Sequence, residues 1–99
     1  MRLTTEQIQA IREETRMVFG ADSSVRLFGS RVDDTARGGD IDLLVECDEP
    51  VKERLKKSLA LTARLQMRLG DQPIDVLVID PETPLQPVHQ VARQMGILL

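Results

Sequence analysis

The sequence predicts a small α/β (α+β) domain, in which a mixed β-sheet is flanked by helices in the order α-β-β-α-β-α. Three observations predict it. Apolar residues recur at helical spacing in three segments, and three short aliphatic runs have the length of strands. The 99 residues, 41% of them hydrophobic, suit one core, so residues 1–99 are expected to form a single domain.

The first helix is marked at both ends. Thr4 and Gln7 form a capping-box pattern, and Gly20 is a typical stop. Between them lies an apolar stripe at helical spacing, made of Ile8, Ile11, Thr15, Val18 and Phe19. The segment is therefore expected to be an amphipathic helix.

Two strands and a second helix follow. Residues 25–28 predict a strand that ends at Gly29, the polar segment 30–39 could contain a short helical turn, and residues 41–46 predict a second strand. Acids and Pro50 in residues 48–50 predict the start of the second helix, which Gly70 ends. Its expected buried stripe is Val51, Leu55, Leu59, Thr62, Leu65 and Leu69.

The last part of the chain predicts a third strand and a short helix. Residues 74–79 form the strand, and a helix ending at Gly96 follows from the spacing of Val88, Val91, Ala92 and Met95. The long helix between the second and third strands allows them to pair in parallel, whereas the first two could be antiparallel or mixed. The terminal residues 97–99 are apolar and either fold back on the core or meet another chain.

Composition narrows the possible functions. Aromatic residues make up 2% of the chain and the net charge is −3, so neither base stacking nor a basic field supports direct nucleic-acid binding. The single Cys47 favours a reducing compartment. No signal-peptide pattern or membrane-spanning run is visible, so a cytoplasmic protein without membrane contact is expected.

Three acids on the second and third strands form the candidate site. Asp40 and Asp42 share one face of their strand because side chains alternate, and Asp75 reaches the same pocket if the strands are neighbours. Carboxylates this close repel each other unless a cation neutralises them. Oxygen donors without a nearby His or Cys favour Mg²⁺ over zinc or copper. Two shared metals are the general solution for in-line phosphoryl displacement.

A glycine turn precedes these acids. Gly29 lets the backbone approach a phosphate closely, Ser30 adds a hydroxyl donor, and Arg31 could hold a β- or γ-phosphate. Arg37 is a weaker candidate for the same task. The turn and the acids together predict a site for a nucleoside triphosphate with divalent metal.

The motif resembles that of a known superfamily. Gly29-Ser30-Arg31, a loop of nine residues counted from Arg31 to Gly39, Asp40-Ile41-Asp42 and the later Asp75 look like the signature of the DNA polymerase β-like nucleotidyltransferases. Over essentially the whole chain, the sequence is similar to the minimal nucleotidyltransferases, the MNT or MntA-type antitoxins. One departure is Gly39, where many relatives place Ser before the first acid.

The resemblance implies an activity, a site and partners. It implies that AMP, or another NMP, is transferred from Mg-ATP or another Mg-NTP to a HEPN-domain toxin. The acceptor would be the hydroxyl of a tyrosine on that toxin, and the transfer would neutralise the toxin. Gly29, Ser30 and Arg31 would bind the nucleotide, whereas Asp40, Asp42 and Asp75 would be the catalytic metal ligands, with two Mg²⁺ ions. Asp75 would also help to deprotonate the hydroxyl. A hetero-oligomer with the toxin is expected, and a homodimer is a further option.

Three alternatives remain open. The domain could neutralise a toxin by contact alone, with catalytically silent acids. It could modify a small molecule, although relatives that do so carry an additional helical domain, for which 99 residues leave no room. A template-directed polymerase is disfavoured because no duplex-binding region is visible.

Several other polar residues have simpler interpretations. His89 is expected on the surface or in packing, Cys47 as a small buried hydrophobe, and the Lys52, Lys56 and Lys57 run as a solvated helix face. Turn contexts predict backbone-binding roles for Asp71 and Asp80, the alternatives to Asp75, and loop positions for Asp33 and Asp34.

Overall fold

A computed structural model describes residues 1–33 and 39–99 of the protein. Its helices are α1 (Thr5–Phe19), α2 (Arg54–Leu69) and α3 (Pro87–Met95), and a 3₁₀ turn covers Gly29–Val32. Its strands are β1 (Ser24–Phe28), β2 (Ile41–Glu46), β3 (Ile74–Ile79) and β4 (Ile97–Leu98). The order α-β-β-α-β-α is confirmed, with β4 as an addition at its end.

The four strands form one mixed sheet in the order β3-β2-β1-β4. β1 is antiparallel to both β2 and β4, whereas β2 and β3 are parallel. The parallel pair is possible because α2 carries the chain back across the sheet. The sequence left the strand order open, and the structure places the two acid-bearing strands side by side.

Helix α1 begins and ends where the sequence predicts. The Thr4 side chain accepts a hydrogen bond from the Gln7 backbone at 3.1 Å, and the Gln7 side chain accepts one from the Thr4 backbone at 2.9 Å. This reciprocal box satisfies two N–H groups that the first turn leaves unpaired. At the other end Gly20, with a φ of +104°, terminates the helix.

The helices cover the two faces of the sheet unequally. The main core includes Ile11 of α1 and Leu61 and Leu65 of α2, packed with Leu43 and other aliphatic residues of the sheet. A smaller cluster joins Ala92 of α3 to Leu44 and Ile79. Because Leu43 and Leu44 point to opposite faces of β2, α1 and α2 cover one face, and α3 lies on the other.

The predicted start of the second helix is wrong. Helix α2 begins at Arg54, after Glu53 in a left-handed conformation with a φ of 54°, so residues 48–50 precede it. The reason is a long-range contact: the Val51 N–H donates to the Asp80 carboxylate at 2.8 Å and holds this segment outside the helix. Val51 therefore packs against the core from a turn.

The apolar stripe predicted on α2 is partly wrong, whereas the helix predicted to end at Gly96 is confirmed as α3. On α2, Leu55 and Leu59 are 72% and 61% exposed, whereas Leu61 and Leu65 are buried. On α3, only Ala92 is buried, and the other three predicted residues, Val88, Val91 and Met95, are exposed. On both helices, the side that packs against the sheet is narrower than the apolar side, so some apolar residues face away from the sheet.

The C-terminal residues fold back onto the domain. Ile97 and Leu98 pair with Leu27 and Arg26 of β1, and the Leu99 N–H donates to the Val25 carbonyl at 2.9 Å. No helix in residues 1–33 or 39–99 has the length and apolarity needed to cross a membrane.

Candidate functional site

Asp42 and Asp75 stand directly opposite each other on the parallel strands β2 and β3. On its other side Asp42 is paired with Phe28 at the end of β1. Asp42 and Leu44 share one face of β2 by strand alternation, so the acids lie on the sheet face that α3 partly covers. Asp42 is half-buried, whereas Asp40 and Asp75 are exposed at the edge of the same site.

This proximity changes the chemistry of Asp42. Burial raises the pKa of the Asp42 carboxyl, and the neighbouring Asp75 and Asp40 carboxylates raise this pKa further. The Asp42 and Asp75 carboxyl groups are also within hydrogen-bonding reach of each other. The pair thus holds more negative charge than its surroundings neutralise.

The donor atoms fit Mg²⁺. In the described ranges, no three His, Cys, Asp or Glu side chains form a complete set of protein ligands for a metal ion. Mg²⁺ does not need one, since it commonly binds one or two carboxylates and takes its remaining ligands from phosphate and water. The adjacent Asp42 and Asp75 carboxylates supply that minimum, with Asp40 as a further oxygen donor at the rim.

The Gly29 turn closes the site beside Asp42. Gly29 has a φ of +78°, and a Cβ at this position would collide with the Asp42 Oδ2 atom and lie 3.2 Å from its Cγ. The glycine therefore gives the carboxylate its space and lets the chain turn sharply after β1. Ser30 lies next to Gly39, where φ is +93° and a Cβ would collide with the Ser30 Oγ. A serine at position 39 would be strained here.

Arg31 is held in a hydrogen-bond network. Its guanidinium donates to the Arg2 carbonyl at 3.0 Å, the Gly39 carbonyl at 3.3 Å and the Gln72 Oε1 at 3.1 Å. Arg2 in turn donates to the carbonyls of Ser30 at 3.2 Å and Asp33 at 3.0 Å. The two arginines tie the N-terminal segment and the start of β2 to the turn. Phosphate binding by Arg31 stays a prediction, since three of the five guanidinium N–H groups already donate to protein partners.

The structure thus brings together part of the predicted set. Asp42, Asp75 and Gly29 are in contact or directly adjacent, and Ser30 and Asp40 flank them. Arg37 and Asp34 lie outside the described residues. The role of Arg2 was missed because a basic residue near a chain end has no pattern in the sequence; only the fold brings it to the turn.

The remaining candidates have structural roles. Asp80 is buried and accepts hydrogen bonds from the Val51 and Glu82 backbones and from Arg54 at 3.3 Å. These bonds lower the pKa of Asp80, the Val51 bond most. His89 accepts a hydrogen bond from the Gln86 N–H at 3.1 Å, which caps α3. Both agree with the interpretations made from the sequence.

Comparison with known families identifies the domain type. Residues 8–94 match the family model described as a nucleotidyltransferase domain. The chain belongs to this family. The matched range contains Gly29, Ser30, Asp40, Asp42 and Asp75, together with every strand except β4. No curated protein matches the sequence significantly.

Membership in the nucleotidyltransferase family gives the site its general chemistry. The mixed α/β architecture agrees with the polymerase β-like nucleotidyltransferase fold expected from the sequence. Nucleotidyl transfer is therefore the class of activity that this domain supports.

Proposed function

We propose that this nucleotidyltransferase domain is an antitoxin enzyme that transfers AMP from Mg-ATP to the hydroxyl of a tyrosine on a HEPN-domain toxin. The observation that carries the transfer activity is the Asp42–Asp75 pair, in register on two strands and beside the Gly29 turn. The toxin as acceptor is inferred from the resemblance to minimal nucleotidyltransferases.

The carboxylates have two tasks in this reaction. The acceptor hydroxyl oxygen forms a bond to the α-phosphorus while the bond from that phosphorus to the bridging oxygen of the β-phosphate breaks, so pyrophosphate leaves. The proton of the hydroxyl must move to a base, and in this proposal the exposed Asp75 carboxylate would accept it. Bound Mg²⁺ would supply charge neutralisation of the phosphates, and Asp42, Asp75 and Asp40 would hold it.

The turn after β1 would orient the triphosphate. The positive φ of Gly29 turns the chain sharply, and the 3₁₀ segment that follows begins with the backbone N–H groups of Gly29, Ser30 and Arg31. Short helical N-termini of this kind suit a phosphate group, and the Ser30 hydroxyl adds one donor. The network around Arg31 and Arg2 would keep this turn fixed against the acids.

The surface around the site suits a protein acceptor. Helix α3 lies on the same face of the sheet as Asp42, and it exposes Val88, Val91 and Met95 at 46%, 55% and 70%. An exposed apolar surface on the same face of the sheet as the acids favours an acceptor that is itself a folded protein.

The deciding experiment is a transfer assay. The domain is incubated with α-labelled ATP, Mg²⁺ and a purified HEPN toxin encoded beside it. Asp42→Asn tests the site, and Asp71→Asn, an exposed acid in the turn after α2, is the matched control. We expect label on the toxin with the wild type and Asp71→Asn but not with Asp42→Asn.

Two results would contradict the proposal. A stable complex with no label from any of the four nucleotides would make the domain an antitoxin that acts by contact. Equal labelling by wild type and Asp42→Asn would show that the Asp42–Asp75 pair does not carry the chemistry.

A further inference from the structure

The two edges of the sheet differ greatly. One edge is β4, which has two residues, whereas the other is β3, which has six. No strand in the described part of the chain pairs with the outer side of β3. Natural proteins protect such edges with lysines and other charged side chains, prolines or bulges, and the β3 sequence Ile-Asp-Val-Leu-Val-Ile contains one charged residue, Asp75, and no lysine or proline.

The polar backbone groups on this free edge can be identified. The Ile41 N–H donates to the Pro73 carbonyl, and the Cys47 N–H donates to the Ile79 carbonyl. In a parallel pair, alternate residues bond to the neighbouring strand, so odd-numbered residues from 73 to 79 face β2. The N–H and C=O groups of Val76 and Val78 therefore point outward.

An open groove runs along this edge. It has a volume of about 330 Å³ and is lined by Val76, Leu77 and Val78, by Leu55 and Ser58 of α2 and by His89 of α3. Consecutive strand residues point to opposite faces, so a groove that touches all three exposes the strand's backbone rather than one face. Leu55 borders it, and Leu59, one helical turn further along α2, extends the apolar wall.

We propose that this edge is the contact surface between two copies of the chain, which pair β3 with β3 in antiparallel fashion. A twofold axis at Leu77 sets Val76 of one copy opposite Val78 of the other. The outward groups of these residues then form the hydrogen-bonded pairs of an antiparallel ladder. The two α2 helices come together on the same face of the continuous sheet, and their exposed leucines cover one another.

The charge distribution favours a second copy as the occupant. The chain is 29% charged, yet the one charged group that lines the groove, Arg54, is paired with Asp80 at 3.3 Å. Identical surfaces can meet only if they do not repel each other, and this surface fulfils that condition. Pairing at Leu77 also places the two Asp75 carboxylates four residues apart along the ladder, roughly 14 Å.

The pairing is tested first by measuring mass against concentration. Sedimentation equilibrium of the full chain, from micromolar to millimolar concentration, is expected to show a mass twice that of one chain. Leu59→Glu adds a charge to the apolar wall of each copy, so the paired surfaces repel each other, and it is expected to weaken the dimer by roughly a hundredfold. Met67→Glu is the matched control, since Met67 is an exposed apolar residue of the same helix, 87% exposed, away from the groove. Circular dichroism confirms that both variants fold.

Amide exchange then tests the geometry. In the dimer, the N–H groups of Val76 and Val78 become protected as concentration rises, whereas that of Leu77, already bonded to β2, changes little. A wild type that stays monomeric at millimolar concentration would overturn the proposal. So would a dimer that Leu59→Glu leaves intact but Val91→Glu, on the exposed side of α3, dissociates.

Discussion

Replacing Gly29 with alanine tests the packing of the turn against the Asp42 carboxylate. The substitution adds one Cβ, which forces a side chain into a backbone with a φ of +78° and pushes that atom into the Asp42 carboxylate. Gly70→Ala is a matched control, since Gly70 has a φ of +92° and nothing lies within 4 Å of its added Cβ. Both variants force a side chain into a backbone with a positive φ, and only Gly29→Ala displaces a neighbour.

The expected magnitudes follow from these two contributions. Gly70 has a φ of 92° and a ψ of 177°, a backbone region essentially restricted to glycine, so Gly70→Ala should lower the free energy of unfolding by about 1–3 kcal/mol. In Gly29→Ala, the Asp42 side chain must also leave its rotamer, which adds about 0.5–1.5 kcal/mol. A total near 2–3 kcal/mol lowers the melting temperature of a domain this size by roughly 10–20 °C.

Urea unfolding of four proteins isolates the contact. Wild type, Gly29→Ala, Asp42→Ala and the double variant form a cycle, in which truncating Asp42 removes the atoms that the new Cβ would strike. We expect Gly29→Ala to be less costly in the Asp42→Ala background, by about 0.5–1.5 kcal/mol. The reasoning fails if the two costs are equal, or if Gly29→Ala is no more destabilising than Gly70→Ala.

Four further variants test other parts of the structure. Asp42→Asn should raise the melting temperature at neutral pH, since the raised pKa of Asp42 means that folding becomes less favourable as pH increases and the carboxyl ionises; a pH series of thermal melts checks this. Asp80→Asn should do the opposite. The lowered pKa of Asp80 stabilises the fold at pH values above the ordinary aspartate pKa, and this stability is lost on acidification. The melting temperature of the variant should therefore be lower than that of the wild type at pH 7, and it should vary less in acid. Leu65→Ala, at a fully buried position, should cost about 2–5 kcal/mol in urea unfolding. Arg31→Ala should lower the free energy of unfolding by about 1–3 kcal/mol in the absence of nucleotide, because three hydrogen bonds are lost. An unchanged stability would mean that these bonds do not stabilise the fold, which would leave phosphate binding as the role of Arg31.

Local signals made most of the fold predictable. The box at Thr4 and Gln7 and the stops at Gly20 and Gly70 depend on neighbouring residues only, and each is where the sequence places it. The strands β2 and β3 are short runs of mainly aliphatic residues, a pattern typical of buried strands. The juxtaposition of Asp42 and Asp75 was conditional on strand order, which the sequence left open.

The misses have long-range causes. Residues 48–50 have the composition of a helix start, but the Asp80 carboxylate, 29 positions from Val51, holds this region in a turn. Strand β4 has two residues and is a strand only through its pairing with β1. The engagement of Arg31 by Arg2 and Gln72 depends on elements brought together by the fold, so the motif alone predicted only its phosphate role.

The position of Asp75 on an edge strand makes the proposed site sensitive to local opening. Asp75 lies on β3, which pairs with one strand, whereas Asp42 lies on β2, which pairs with a strand on each side. Edge strands open at a lower free energy than the whole domain, so the site can come apart while the helices persist. A monomer should therefore lose activity on heating several degrees before its circular dichroism changes, and whatever covers β3 would extend the temperature range in which the enzyme works.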